Sequence, residues 1–126
     1  MLFNENEPIY IQVYNHILIQ IATGKYPVGE KIPSVRELSI KLKINPNTIS
    51  KALKELENLN IIYVKRGIGN FVSEDEDKIR SLKEDMLKKI TTNFIENLKK
   101  LGITLSEVKN ILNKREEGCP SSLLFF

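Results

Sequence analysis

The stretch Ile32–Leu56, which reads IPSVRELSIKLKINPNTISKALKEL, carries the two helix starts that decide the fold. Ser34 is followed three residues later by Glu37, which is the spacing of a capping box: the serine side chain caps the helix and the glutamate reaches back. Asn45-Pro46 is a second start, because Asn is a favoured N-cap and proline fits the first helical position. The stretch therefore predicts two helices that are joined by a very short turn.

The segments on either side of this stretch complete the pattern. Upstream, apolar residues recur every four positions and predict a first helix that Gly24 ends: Ile9, Val13, Ile17 and Ile21. Downstream, Ile61–Val64 and Asn70–Val72 are extended in character and flank a turn with two glycines, which predicts a small hairpin. Three helices and a two-stranded wing form a winged helix-turn-helix, so the predicted fold class is α+β and mainly helical.

The positive charge of the chain is concentrated in its first part. The 126 residues carry a net charge of +3, and residues 1–73 account for all of it, with nine basic and six acidic side chains. Lys31–Arg66 alone contains eight basic and three acidic side chains. A surface that meets phosphate groups is expected to show such a local excess, although a solvated charged face would have the same composition.

Several classes of function find no support in the residues. One cysteine, Cys119, and one histidine, His16, cannot build a disulfide or a Cys/His metal cluster within one chain, so we expect no metal and no cofactor. We expect no enzyme, because the sequence shows no paired carboxylate in a glycine-rich cleft, no plausible nucleophile with a base and no phosphate-binding loop. The sequence begins without the features of a signal peptide and has no run of about eighteen apolar residues, so we expect a cytoplasmic protein without a membrane partner.

The last part of the chain predicts two more helices over residues 74–115. The acidic run Glu74–Asp77 suits the positive end of a helix dipole, Gly102 ends this helix, and Thr104 with Glu107 forms a second capping box. Apolar residues follow at spacings of three and four: Ile79, Leu82, Met86, Ile90, Phe94 and Leu98, then Val108, Ile111 and Leu112. We predict a helical hairpin whose apolar stripe forms a homodimer; the alternative is that it covers the first three helices. No role is assigned to the tail, residues 116–126.

Four blocks of residues resemble the successive signature blocks of GntR-family bacterial regulators. These blocks are PIYIQ at residues 8–12, IPSVREL at 32–38, NPNTI at 45–49 and GIGNFV at 67–72. The resemblance covers residues 8–73, and the short remainder is similar to the YtrA-like subfamily, whose extension serves dimerisation. One departure from the family pattern is that Lys43 and Asn60 stand where members often have glycine.

The resemblance implies that the first domain, residues 1–73, binds double-stranded DNA. Arg36 matches the family arginine that reaches a guanine, and a guanidinium suits bidentate contact with guanine O6 and N7; a surface ion pair is the alternative. Ser34 can offer its hydroxyl or the neighbouring helix amides to a phosphate, but capping alone explains it equally well. The other expected contacts lie at the start of the third helix and at the wing: Asn47, Thr48, Lys51, Lys65, Arg66 and Gly67.

Some of these positions keep two interpretations. Lys51 binds either a base edge or a phosphate, whereas Asn45 is interpreted as a structural cap rather than a contact. Arg66 matches the family position at the minor groove, where a narrow groove concentrates negative potential, and Lys65 adds a phosphate contact.

The implied function is a dimeric regulator that reads an inverted-repeat operator, usually as a repressor of a neighbouring transporter operon. The alternative is a winged helix that binds protein or RNA, which the polar and basic start of the third helix disfavours. The sequence names neither the operator nor a small-molecule effector.

Overall fold

Seven elements follow one another in the part of the chain that the computed structural model describes, residues 6–118, with side chains described through residue 114. They are α1 (Ile9–Ala22), α2 (Val35–Leu42), α3 (Pro46–Asn58), β1 (Ile62–Lys65), β2 (Gly69–Val72), α4 (Glu76–Leu101) and α5 (Leu105–Gly118). The predicted winged helix-turn-helix with a two-helix extension is confirmed. Two compact units are present, divided between Asp85 and Met86. Most of the tail, residues 119–126, lies outside the described residues.

The helix-turn-helix is built by the local hydrogen bonds that the sequence predicts. The Ser34 hydroxyl accepts from the Glu37 amide at 3.0 Å, and the Glu37 carboxylate accepts from the Ser34 amide at 3.3 Å, which completes the capping box. The Asn45 side chain accepts from the Asn47 amide at 2.8 Å and caps α3, whose first residue is Pro46. Only three residues separate α2 from α3, so their relative orientation is tightly restricted.

The core of the first unit lies where α1, α2 and β1 each pack against α3. Its side chains come from the apolar faces of the helices, at helical spacing, and from the end of the hairpin where Ile62 pairs with Val72. The fully buried residues include Val13, Ile17, Ile21, Leu38, Ile49, Leu56, Ile62 and Val72. Because these side chains point inward, the polar residues at the starts of α2 and α3 are left on the surface.

The wing contains one pairing that the sequence did not predict. Strands β1 and β2 are antiparallel, with Tyr63 opposite Phe71 and Lys65 opposite Gly69. Lys31, from the loop between α1 and α2, forms a bridge with Phe71 on the other edge of β2. Two hydrogen bonds at 2.9 Å support this bridge, from the Ile32 amide to the Asn70 carbonyl and from the Val72 amide to the Glu30 carbonyl. The wing sheet is thus extended by part of a loop.

Two non-glycine residues take the left-handed conformation at helix ends. Lys43, after α2, has φ 56°, and Asn60, after α3, has φ 58°. The Asn60 amide donates to the Glu57 carbonyl at 2.9 Å and the next amide donates to the Leu56 carbonyl at 3.0 Å, which is a Schellman motif. The two departures from the family glycine pattern therefore keep the glycine-like backbone.

We expect Lys43→Gly to raise the free energy of unfolding. An L-residue in the left-handed conformation costs roughly 1–2 kcal/mol of folding free energy, and glycine removes this cost. The greater entropy of glycine in the unfolded chain costs about 0.5–1 kcal/mol, so the net gain in stability is about 0.5–1 kcal/mol. The matched control is Lys41→Gly, which lies inside the last turn of α2 and should lower the free energy of unfolding by about 1 kcal/mol. Urea unfolding of both variants measures the signs, and equal signs would contradict the argument.

The start of α4 belongs to the first unit. The Asp75 carboxylate accepts from the Lys78 amide at 3.1 Å and caps the helix, and the Lys78 ammonium donates to the Leu59 carbonyl at the end of α3. Ile79 is only 6% exposed, and Leu82 is half-buried. The prediction that Ile79 lies on a dimer surface is therefore wrong, because its own chain already covers it.

In the second unit, α4 and α5 leave most of their apolar side chains exposed. Gly102 ends α4 with φ 68°, in a second Schellman motif, and the Thr104 hydroxyl accepts from the Glu107 amide at the start of α5. The exposed apolar residues are Leu87, Ile90, Phe94, Ile95, Leu101, Leu105, Ile111 and Leu112. These apolar faces are therefore exposed in the single chain, and the homodimer contact predicted for them stays a prediction.

Candidate DNA interface

The start of α3 presents polar side chains to solvent. Asn47 and Lys51 are exposed and Thr48 is half-buried, whereas Ile49 behind them is fully buried. The Asn45 side chain caps α3 by accepting a hydrogen bond from the backbone N–H of Asn47. The side-chain amide of Asn47 takes no part in this cap. This end of α3 therefore carries amide, hydroxyl and ammonium groups that can donate to or accept from another molecule.

Lys51 is held by an aromatic ring that the sequence did not assign to the site. Its Nζ atom lies 3.8 Å from the centroid of the Tyr10 ring, at the start of α1. Tyr10 is half-buried, so its ring both packs against the chain and contacts Lys51. The ring restrains the ammonium and leaves it positively charged and without a carboxylate partner in the described residues.

The start of α2 places Arg36 on the surface beside the capping box. Arg36 is exposed and forms no ion pair with a side chain of the described residues, so the alternative of a surface ion pair is not observed. Ser34 uses its hydroxyl to cap α2, as the structural interpretation predicted. Within the described residues, the stretch Lys31–Arg66 contains one ion pair. It joins the Lys54 ammonium to the Glu57 carboxylate at 3.5 Å, and both side chains are substantially exposed.

The wing turn places Arg66 and Gly67 at its tip. The Ile68 amide donates to the Lys65 carbonyl at 3.0 Å, and Gly67 has φ 76°, the left-handed value that a type II turn requires at its third position. Arg66 is exposed and has no ion-pair partner in the described part of the chain. The tip therefore presents a guanidinium next to a residue without a side chain.

An aromatic pair forms the outer face of the wing. The rings of Tyr63 and Phe71 are stacked with centroids 5.7 Å apart, and the Lys65 ammonium lies 4.4 Å from the centroid of Phe71. The Tyr63 hydroxyl donates to the Glu74 carboxylate at 3.1 Å. Desolvation and this hydrogen bond raise the pKa of the Tyr63 hydroxyl above its ordinary value.

These features agree with the comparison to known protein families. A model of the GntR family, described as bacterial regulatory proteins, matches residues 9–72, about half of the chain and all of the helix-turn-helix and wing. The chain belongs to the GntR family.

Two relatives place the chain more closely within the GntR family. The uncharacterized HTH-type transcriptional regulator YhcF of Bacillus subtilis (strain 168) is 34% identical, and the match covers 92% of this chain and 96% of YhcF. The HTH-type transcriptional repressor YtrA of the same organism is 41% identical over 63% of this chain and 65% of YtrA. The chain is thus a GntR-family regulator of the YtrA-like subfamily.

Solved structures extend the likeness to the fold and to DNA. A GntR family transcriptional regulator from Listeria monocytogenes has 43% identity and a TM-score of 0.82, covering 89% of this chain and 98% of that one. The DNA-binding domain of AraR in complex with operator ORX1 has 32% identity and a TM-score of 0.54, covering 57% of this chain and 93% of that one. This GntR chain is a sequence-specific DNA-binding transcriptional regulator. No helix within residues 6–118 combines the length and apolar character needed to cross a membrane.

The structure places the predicted site residues at three points of the first unit, which we call the reading unit. Ser34 and Arg36 lie at the start of α2, Asn47, Thr48 and Lys51 lie at the start of α3, and Lys65, Arg66 and Gly67 lie at the wing turn. Sequence reasoning missed Tyr10 and Lys31, which act through contacts with distant parts of the chain. For Lys31, the one available signal was its membership of the basic stretch.

Proposed function

We propose that this GntR-family regulator is a homodimeric repressor that binds an inverted-repeat operator through the starts of α2 and α3 and through the wing. The observation that carries the proposal is the exposed polar start of α3 next to cations without carboxylate partners in the described residues. A second support is the likeness of this unit to the AraR DNA-binding domain, which was solved with its operator.

In this proposal, α3 lies in the major groove with its N-terminal end leading. The groove is wide enough for one α-helix, and the amide of Asn47 and the hydroxyl and methyl groups of Thr48 can read base edges there. Arg36 donates two hydrogen bonds to a guanine, for which its planar guanidinium is suited. Lys51 binds the phosphate backbone, because the Tyr10 ring holds its ammonium as a localised point charge.

The wing contacts the minor groove in this arrangement. Arg66 at the tip of the turn enters or borders the groove, where negative potential is concentrated, and Gly67 lets the backbone approach closely. The Ser34 hydroxyl remains in the cap of α2, so its contribution to phosphate binding comes from the helix amides beside it.

The exposed apolar side chains of α4 and α5 form the proposed dimer surface. The residues predicted for the dimer contact that lie in the second unit are Met86, Ile90, Phe94, Leu98, Val108, Ile111 and Leu112. A set of exposed apolar side chains on two helices marks a protein contact, and a symmetric dimer is the commonest one. Two copies then present two reading units to the two halves of an inverted repeat.

The relatives support the repressor role. YtrA is described as a transcriptional repressor, and a protein that covers an operator blocks transcription without any further partner. Following the family, we assign the target to a neighbouring transporter operon and the site of action to the cytoplasm, where bacterial operators lie. The proposal includes no effector.

Selection of bound fragments from a pool of random duplexes tests this function. We expect an inverted repeat, and an affinity for it that falls with salt at a slope of about 0.9 per phosphate neutralised. The control is a scrambled duplex of equal length, which should bind more weakly at every salt concentration. A flat salt dependence would show that the basic stretch does not face DNA, and preference for a matched RNA duplex would favour the RNA-binding alternative.

A further inference from the structure

Lys31 occupies a fixed position on the outer face of the wing. Its bridge to Phe71 is supported on both sides by hydrogen bonds at 2.9 Å, from Ile32 to Asn70 and from Val72 to Glu30. Residues directly opposite each other in a sheet have side chains on the same face, so Lys31 shares the face of Phe71. The same face carries Tyr63 and, two positions further along β1, Lys65.

The side chain of Lys31 runs across Gly69, where the wing turn ends and β2 begins. A Cβ atom at Gly69 would lie 2.8 Å from the Lys31 Cε atom and 3.7 Å from its Nζ atom. This first distance is shorter than real Cβ contacts, so a side chain at position 69 would displace the lysine. Gly69 also has φ 145°, which an L-residue rarely adopts. The glycine therefore leaves space that the Lys31 chain fills.

Lys65 lies at the same end of the sheet, on strand β1, whereas Lys31 lies along the opposite edge of β2. Lys65 is paired with Gly69 in the register of the hairpin, and its ammonium lies over the Phe71 ring. Glu74 and Asp75 border the shallow hollow that Lys65 lines, but neither lies within 4.0 Å of its ammonium. Lys31 likewise has no ion-pair partner in the described residues, and Glu74 is already bound by Tyr63.

We infer that Lys31 and Lys65 together bind one backbone phosphate of the DNA strand that flanks the wing. Two cations on one face with no carboxylate partner in the described residues repel each other, and a phosphodiester, whose single negative charge is shared by its two non-bridging oxygens, relieves this repulsion. Lysine binds phosphate as a point charge and needs no fixed angle, which suits side chains that come from two elements. The phosphate lies next to the groove that Arg66 enters, because Lys65 and Gly69 are the two ends of that turn.

This inference rests on the proposed function and adds a contact that the basic stretch alone does not specify. The variants are Lys31→Met, which keeps most of the apolar stem, and Lys31→Arg, which keeps the charge. The matched control is Lys25→Met, in the same loop, whose charge acts on His16 of α1. Thermal melting of each full-length variant first establishes that the chain is folded.

We expect Lys31→Met combined with Lys65→Met to lower the salt slope by about 0.9, which makes the binding deficit of this double variant shrink about 3.5-fold between 50 and 200 mM salt. Lys31→Met alone should lower the slope by less, because Lys65 still binds the shared phosphate. Lys31→Arg and Lys25→Met should keep the slope of the unmodified chain. Duplexes carrying one neutral methylphosphonate at successive backbone positions locate the phosphate. At one position the methylphosphonate should weaken the unmodified chain most, Lys31→Met less, and the double variant not at all.

The two possible failures are distinguishable. If the unmodified chain binds no duplex, the proposed function and this inference both fail. If it binds its duplex but Lys31→Met has the salt slope of the unmodified chain and is weakened as much as the unmodified chain by every methylphosphonate, only the phosphate contact of Lys31 is overturned.

Discussion

Replacement of Arg36 by alanine is expected to cost about 1–3 kcal/mol of binding free energy on the preferred duplex and to relax the preference at one base pair in each half-site. The reason is geometric: the guanidinium at the exposed start of α2 has no carboxylate partner in the described residues, so it is available for two parallel hydrogen bonds to a guanine edge. Selection of random duplexes by the variant measures the change in preference, and titration of the best duplex measures the cost.

Two controls separate base reading from charge. Arg36→Lys keeps the charge but loses the planar fork, so it should relax the motif nearly as much as alanine does. Lys54→Ala removes a cation that is already paired with Glu57, so it should weaken all duplexes alike, if at all. An unchanged motif from Arg36→Ala would show that this arginine does not read a base.

The starts of the helices were predictable because each depends on neighbours in the chain. The capping box of Ser34 and Glu37 and the Asn45 cap are hydrogen bonds between residues two or three positions apart, so the residue types alone determine them. The left-handed turns at Lys43 and Asn60 were visible as departures from glycine. Asn takes this conformation in place of glycine at some helix ends, but the left-handed backbone of Lys43 was not predictable from its residue type, because lysine disfavours it.

The contacts that hold the cations in place were not predictable in this way. Lys51 lies over Tyr10, and Lys31 is paired with Phe71, so each contact joins distant parts of the chain. No spacing rule links such residues, and composition identified only that the stretch is basic. The sequence thus predicted where the DNA surface lies but not how its lysines are held.

The apolar stripe of α4 shows a different limit. Helical periodicity identifies an apolar face but does not say what covers it. Ile79 continues the same period as Ile90 and Phe94, yet Ile79 is buried in the first unit whereas Ile90 and Phe94 are 65% and 47% exposed. The periodic pattern is continuous, but the environment of its residues changes along one helix.

The largest effect is expected from the full-length double variant Ile90→Glu with Phe94→Glu. Four residues apart on α4, these two side chains lie on the same face, and burying two carboxylates in an apolar contact is strongly unfavourable. We expect a monomer by sedimentation. Affinity for the inverted repeat should fall by roughly 10²–10⁴-fold, because the second half-site contact is no longer intramolecular.

The same variant should bind a single half-site as the unmodified chain does, because the reading unit, including Ile79, is untouched. Thr92→Glu is the matched control: it adds a carboxylate to α4 on the side opposite to Ile90 and should leave the dimer intact. If the double variant stays dimeric, the dimer uses another surface. If the unmodified chain is itself a monomer that binds an inverted repeat no better than a half-site, the dimer model fails. Only a dimer joins two reading units, so that the second half-site raises the affinity.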